Sequence, residues 1–178
     1  MANYITLSRI ALIFPVLYLA SENSGILNWI ALVLFVMAGI TDHLDGYVAR
    51  KTKTTSSLGG LLDLMADKLL ICIPLFYLLS IASHEELIFP SIIIIARELI
   101  ISSFRQFLAE SLGENPVKVS FIAKAKTTVQ ITCISFLIIS PNFGEYFYYL
   151  TIFLFWFAAY LSIHSLVLYF RAYKIFMN

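Results

Sequence analysis

Six stretches of this chain, 4–21, 27–49, 58–82, 87–110, 118–140 and 146–170, are apolar over nearly the length that crosses a bilayer. About 20 residues of helix span the hydrocarbon. Lipid offers no partner to a backbone N–H or C=O, so such runs fold as helices whose hydrogen bonds close within themselves. Hydrophobic residues make up 60% of the chain and charged residues 13%, whereas soluble domains carry about 25% charged residues. The expected fold class is all-α, a polytopic membrane protein with six transmembrane helices. A single domain covers 1–178, since no long linker, low-complexity tract or charged tail interrupts it. Pro15 breaks the first run. A cleaved signal peptide is a poor reading there, because Tyr18-Leu19-Ala20 is a weak cleavage site and Arg9 is the only charge ahead of it.

Charge is asymmetric along the chain. The connections at 21–27, 83–87 and 140–146 hold Glu22, Glu85, Glu86 and Glu145 and no Lys or Arg. All twelve Lys and Arg residues lie on the opposite side or within the spans leading to it. The positive-inside rule makes that side cytoplasmic and puts both termini there. Tyr146, Tyr148 and Tyr149 suit an outer interfacial belt. Net charge is +1, so global charge points to no partner and no nucleic acid is expected. Cys72 and Cys133 have no metal-ligand spacing and read as small buried apolar residues.

Against this background stands Asp42-His43-Leu44-Asp45-Gly46-Tyr47-Val48-Ala49-Arg50, followed by Gly59, Asp63 and Asp67. A carboxylate near a membrane helix centre costs about 3 kcal/mol on insertion scales, so a cluster of them marks a functional site. Asp42 and Asp45 are three apart, Asp63 and Asp67 four apart, and each pair shares a helix face. A hairpin folded at 51–57 brings the two faces together, with Asp63 roughly 9 Å and Asp67 roughly 15 Å from a helix start near Ser57. The site therefore lies in the cytoplasmic half of the bundle. Carboxylate oxygens select hard cations, Mg²⁺, Mn²⁺ or Ca²⁺ rather than zinc. Four of them suit two ions about 4 Å apart, as used to clamp a phosphate under attack. His43 points about 100° away from Asp42 and is not read as a ligand. Gly46 and Gly59 let a bulky ligand approach the backbone, and Arg50 can pair with a phosphate.

The pattern D-x2-D-G-x2-A-R-x8-G-x3-D-x3-D, met at every fixed position from Asp42 to Asp67, resembles the signature of the CDP-alcohol phosphatidyltransferase family. The resemblance implies a six-helix membrane enzyme, usually a homodimer. Such an enzyme moves a phosphatidyl group from a CDP-activated lipid to an alcohol and releases CMP. It implies that Asp42, Asp45 and Asp63 bind divalent metal, Mg²⁺ or Mn²⁺, and that Asp67 also contacts metal and acts as the catalytic base. It places Gly46, Ala49, Arg50 and Gly59 along the CMP end of the lipid donor.

The second half of the chain bears on the acceptor alcohol. Arg97 lies ten residues into its span, roughly 15 Å deep, and must face protein or a wet cavity. Arg105 follows eight residues on. Lys124 shares a face with Thr127 and Thr128, whereas Lys126, about 200° away, lies on another. Arg105 and Lys124, with Arg97 and Lys126, are the candidate anion pocket for the phosphate of a small phosphorylated alcohol. The run 96–102, Arg105 and Lys124-x-Lys126-Thr127-Thr128-x-Gln130 resemble the bacterial branch of the family that uses CDP-diacylglycerol and glycerol 3-phosphate. The opening Asn3-x-Ile5-Thr6-x-x-Arg9 resembles that branch too, and implies that Asn3 and Thr6 join the CDP-lipid site. Leu64 departs from the proline usual there, at a variable position. A cardiolipin-forming member, with phosphatidylglycerol as acceptor, is the alternative. A divalent-cation transporter is a remote one, because it leaves Gly46, Gly59 and Arg50 without a purpose.

Overall fold

The computed structural model describes the backbone of residues 2–22, 24–52, 57–81, 85–112 and 121–177, and the side chains of 6–22, 24–41, 59–62, 64–81, 85–108 and 127–171. The described residues form α1 (Ala2–Ser21), α2 (Gly25–Thr52), α3 (Ser57–Ile81), α4 (Glu85–Leu112), α5 (Phe121–Ile139) and α6 (Glu145–Met177), with a 3₁₀ turn over Ser140–Asn142 and no strand. Each helix coincides with one apolar run, as expected of backbone that must satisfy itself in lipid. Gly59–Ile81, Glu85–Leu108 and Glu145–Arg171 are long and apolar enough to cross a membrane, and Thr6–Ser21 and Gly25–Thr41 are shorter apolar stretches. The protein is an all-α membrane protein.

Its surface inverts the soluble pattern. Phe14, Phe76, Phe89 and Phe153 are largely exposed, while Arg9, Asn28, Gln130, Thr151 and Ser162 are buried. Hydroxyls along the helices bond their own backbone. Ser21 Oγ donates to the Tyr18 carbonyl at 2.7 Å, Thr41 Oγ1 to Met37 at 2.7 Å and Thr151 Oγ1 to Phe147 at 2.9 Å. Such bonds satisfy a hydroxyl without a partner helix. Glu85 and Glu86 open α4 and Glu145 opens α6, where acids complement the positive end of the helix dipole.

The chain divides into two compact units, Met1–Ser83 with Ile134–Thr151, and His84–Cys133 with Ile152–Asn178. In the first, α1 packs against both α2 and α3, which touch each other far less among the described residues. The inward stripe of α1 is Thr6, Arg9, Ile13, Val16, Leu17 and Ala20, all buried, at the spacing of one helix face. Pro15 lies off that stripe and the helix continues through it. Thus the run with the weakest claim to be a span is the packing partner of both helices that carry the acidic motif. At the other end of this unit, Asn28 Nδ2 donates to Asn142 Oδ1 at 3.0 Å, and Asn142 Nδ2 to the Gly25 carbonyl at 2.9 Å. Trp29 meets Phe143 edge-on there, and Phe143 stacks on Phe147 at 4.6 Å.

Candidate active site

α2 runs unbroken from Gly25 to Thr52, so Asp42, Asp45, Gly46, Ala49 and Arg50 all stand on helix. α3 begins at Ser57 and carries Gly59, Asp63 and Asp67. Each carboxylate pair therefore keeps the one-turn spacing expected of it, about 4.5 Å along the axis on α2 and about 6 Å on α3. The side chains of 42–50, Asp63, Asn3, Lys124 and Lys126 lie outside the described residues, as does the connection at 53–56. Among the described residues no three His, Cys, Asp or Glu side chains converge into a metal-binding group. The residues that α2 and α3 offer are carboxylates on regular helix, a hard oxygen set that fits a divalent cation.

Asp67 is described in full. Its side chain is 49% exposed, and its Oδ1 lies 3.6 Å from Nη1 of Arg9, whose side chain is only 1% exposed. Ala66 and Leu70 beside it on α3 are buried, so the helix is held while the carboxylate keeps access to its surroundings. Thr6, one turn before Arg9, is also buried. Sequence reasoning used Arg9 only as a charge and as part of the opening motif, because no local pattern links it to Asp67. The signal was there in another form: an arginine three residues after Thr6 and four before Ile13 falls on the inward face of α1, not its margin.

The second unit holds a buried polar chain across three helices. Arg97 on α4 donates to Ser165 Oγ on α6 from Nη2 at 2.6 Å and from Nε at 3.1 Å. Its Nη1 lies 3.6 Å from Glu98 Oε2. Gln130 on α5 donates from Nε2 to Glu98 Oε1 at 3.2 Å. Arg97 is thus buried and engaged on all three nitrogens by neighbours within the unit. Arg105, eight residues further along α4, is exposed. Beside it Phe104 packs edge-on against Tyr169 at 5.9 Å and tilts against Phe170 at 5.0 Å, so α4 and α6 also meet at Arg105's level. Ser165 escaped the sequence reading, since a lone serine in an apolar helix carries no signal of its own.

The CDP-alcohol phosphatidyltransferase profile matches residues 1–164. A Rickettsia bellii protein named CDP-diacylglycerol–glycerol-3-phosphate 3-phosphatidyltransferase is 38% identical over 175 residues, covering 97% of this chain and 94% of its own length. Proteins of the same name from Rickettsia felis (40% identical over 176 residues, covering 97% of this chain and 94% of its own) and Haemophilus influenzae (36% over 174, 96% and 91%) are similar along nearly the same extent. Helices that carry every fixed position of the acidic motif, together with a match from the first residue to 164, leave one conclusion: the chain belongs to the CDP-alcohol phosphatidyltransferase family.

Proposed function

We propose that this protein transfers the phosphatidyl group of CDP-diacylglycerol to sn-glycerol 3-phosphate, giving phosphatidylglycerophosphate and CMP. The observation that carries the reading is 38–40% identity along 97% of the chain to relatives named for that activity. In this reaction the free primary hydroxyl of glycerol 3-phosphate attacks the β-phosphorus of the donor. A new O–P bond forms, the P–O bond to CMP breaks, and the hydroxyl proton goes to a base. Asp67, half-exposed on α3, is the proposed base. Asp42, Asp45, Asp63 and Asp67 would hold Mg²⁺ or Mn²⁺, and a divalent cation there supplies charge neutralisation for the phosphates. Gly46, Ala49, Arg50, Gly59, Asn3 and Thr6 are the proposed contacts of the CDP-lipid.

Arg105 and Lys124, with Lys126, are the proposed determinants for the acceptor, whereas Arg97, expected among them, is taken up by Ser165 and Glu98 instead. Cationic side chains in a membrane span are costly unless an anion regularly meets them. A phosphomonoester carries nearly two negative charges and takes paired hydrogen bonds from arginine. Phosphatidylglycerol offers a singly charged diester and two acyl chains. The working form would be a homodimer in the inner membrane with both termini cytoplasmic. The test is mass spectrometry of lipid products after purified protein is mixed with CDP-diacylglycerol, Mg²⁺ and a panel of alcohols. Phosphatidylglycerophosphate formed only with glycerol 3-phosphate supports the reading. Cardiolipin formed from phosphatidylglycerol, with glycerol 3-phosphate ignored, overturns it.

A further inference from the structure

Arg9 is an odd member of an inward stripe. Its neighbours on that face, Ile13, Val16, Leu17 and Ala20, already give α1 an apolar seam. An ion pair adds little to such a seam, because apolar residues of similar volume hold buried helices at least as well. The pair is also lopsided: Arg9 is 1% exposed and Asp67 49%. A guanidinium closed in on every side does not offer itself to a substrate phosphate. It does make a rigid post, planar and fixed in orientation. The carboxylate it holds has about four lone-pair sites, so a pair through Oδ1 does not exhaust it.

We propose that Arg9 is a positioning residue, which fixes the Asp67 carboxylate from α1 while that carboxylate stays accessible for proton transfer. This role rests on the reading of Asp67 as the general base. A base must sit within hydrogen-bond reach of the hydroxyl it deprotonates, and misplacement by about 1 Å can cost about 10²-fold in rate. A half-exposed carboxylate keeps its place only if it is held, and the buried Arg9, with Nη1 3.6 Å from Asp67 Oδ1, is placed to hold it from α1.

The experiment compares Arg9→Met, Arg9→Lys, Asp67→Asn and Arg9→Met with Asp67→Asn, in purified full-length protein, by initial rates against both substrates. Arg9→Met is expected to lower kcat at least about tenfold and leave both KM values within about twofold, the signature of an interaction that matters only in the transition state. Arg9→Lys should recover part of the rate. Added to Asp67→Asn, Arg9→Met should change kcat less than about twofold, because the two act as one unit. Removing Arg9 leaves a carboxylate that is half-exposed rather than buried, so the variant is expected to fold, checked by thermal unfolding in detergent. If it does not accumulate, Arg9→Gln replaces it and should be at least about fivefold slower than Arg9→Lys; equal rates overturn the proposal. Losses that multiply in the double variant overturn it, as does a near-normal kcat for Arg9→Met beside a slow Asp67→Asn. A near-normal kcat for Asp67→Asn would instead remove the base reading, and this role with it.

Discussion

The hydroxyl of Ser165 accepts two N–H groups of one guanidinium, from Arg97 Nη2 at 2.6 Å and Nε at 3.1 Å, and it is oriented toward the Ser162 carbonyl at 3.4 Å. One small side chain on α6 thus holds the buried cation of α4. Ser165→Ala would leave two donors of a charged group without their acceptor. The expected cost is about 1–3 kcal/mol, read as a lower unfolding temperature of the detergent-solubilised protein. A thermal profile unchanged by Ser165→Ala would show that Arg97 finds another partner.

Glu98 stands between Arg97 and Gln130. Truncating it removes the countercharge of a buried arginine, and breaking a buried pair from one side typically costs about 3–5 kcal/mol. Gln130→Ala removes one hydrogen bond to a charged group, for which about 1.5–3 kcal/mol is typical. Glu98→Ala should therefore lower stability more than Gln130→Ala in the same thermal assay. The reverse ranking would contradict the charge pairing.

Metal removal tests the carboxylate helices as a set. Clustered carboxylates in low-dielectric surroundings repel one another unless cations offset them. Phosphatidyl transfer should stop in EDTA and return with excess Mg²⁺ or Mn²⁺. Full turnover in chelator would refute a cation requirement for this site.

Donor and acceptor should separate by mutation. Arg50→Ala is expected to raise the KM for CDP-diacylglycerol more than that for glycerol 3-phosphate. Arg105→Ala or Lys124→Ala should raise the glycerol 3-phosphate KM at least about tenfold, equivalent to about 1.4 kcal/mol of binding, with the donor KM nearly unchanged. Substrate titrations that reversed these rankings would exchange the two binding assignments.

Much of this protein's fold is legible in its sequence. In lipid the backbone can satisfy itself only within a helix, so the length of each apolar run decided a helix and its approximate bounds. α1 to α6 follow the six runs closely. The acidic motif was equally legible, because its information lies in residue types at one-turn spacing, and a helix converts that spacing directly into a shared face. Asp42 with Asp45, and Asp63 with Asp67, needed nothing more than regular α2 and α3.

What tertiary structure alone decided was which distant side chains meet. Helix periodicity says which face a residue occupies but not what lies opposite, since that depends on how the helices pack. Pro15 made the first run look the least secure, yet packing made α1 the neighbour of both α2 and α3 and carried Arg9 to Asp67. The same holds for Arg97. Its depth in an apolar span announced that it must have partners, and an acid such as Glu98 was a candidate, while the Ser165 hydroxyl came only from the packing of α4 on α6.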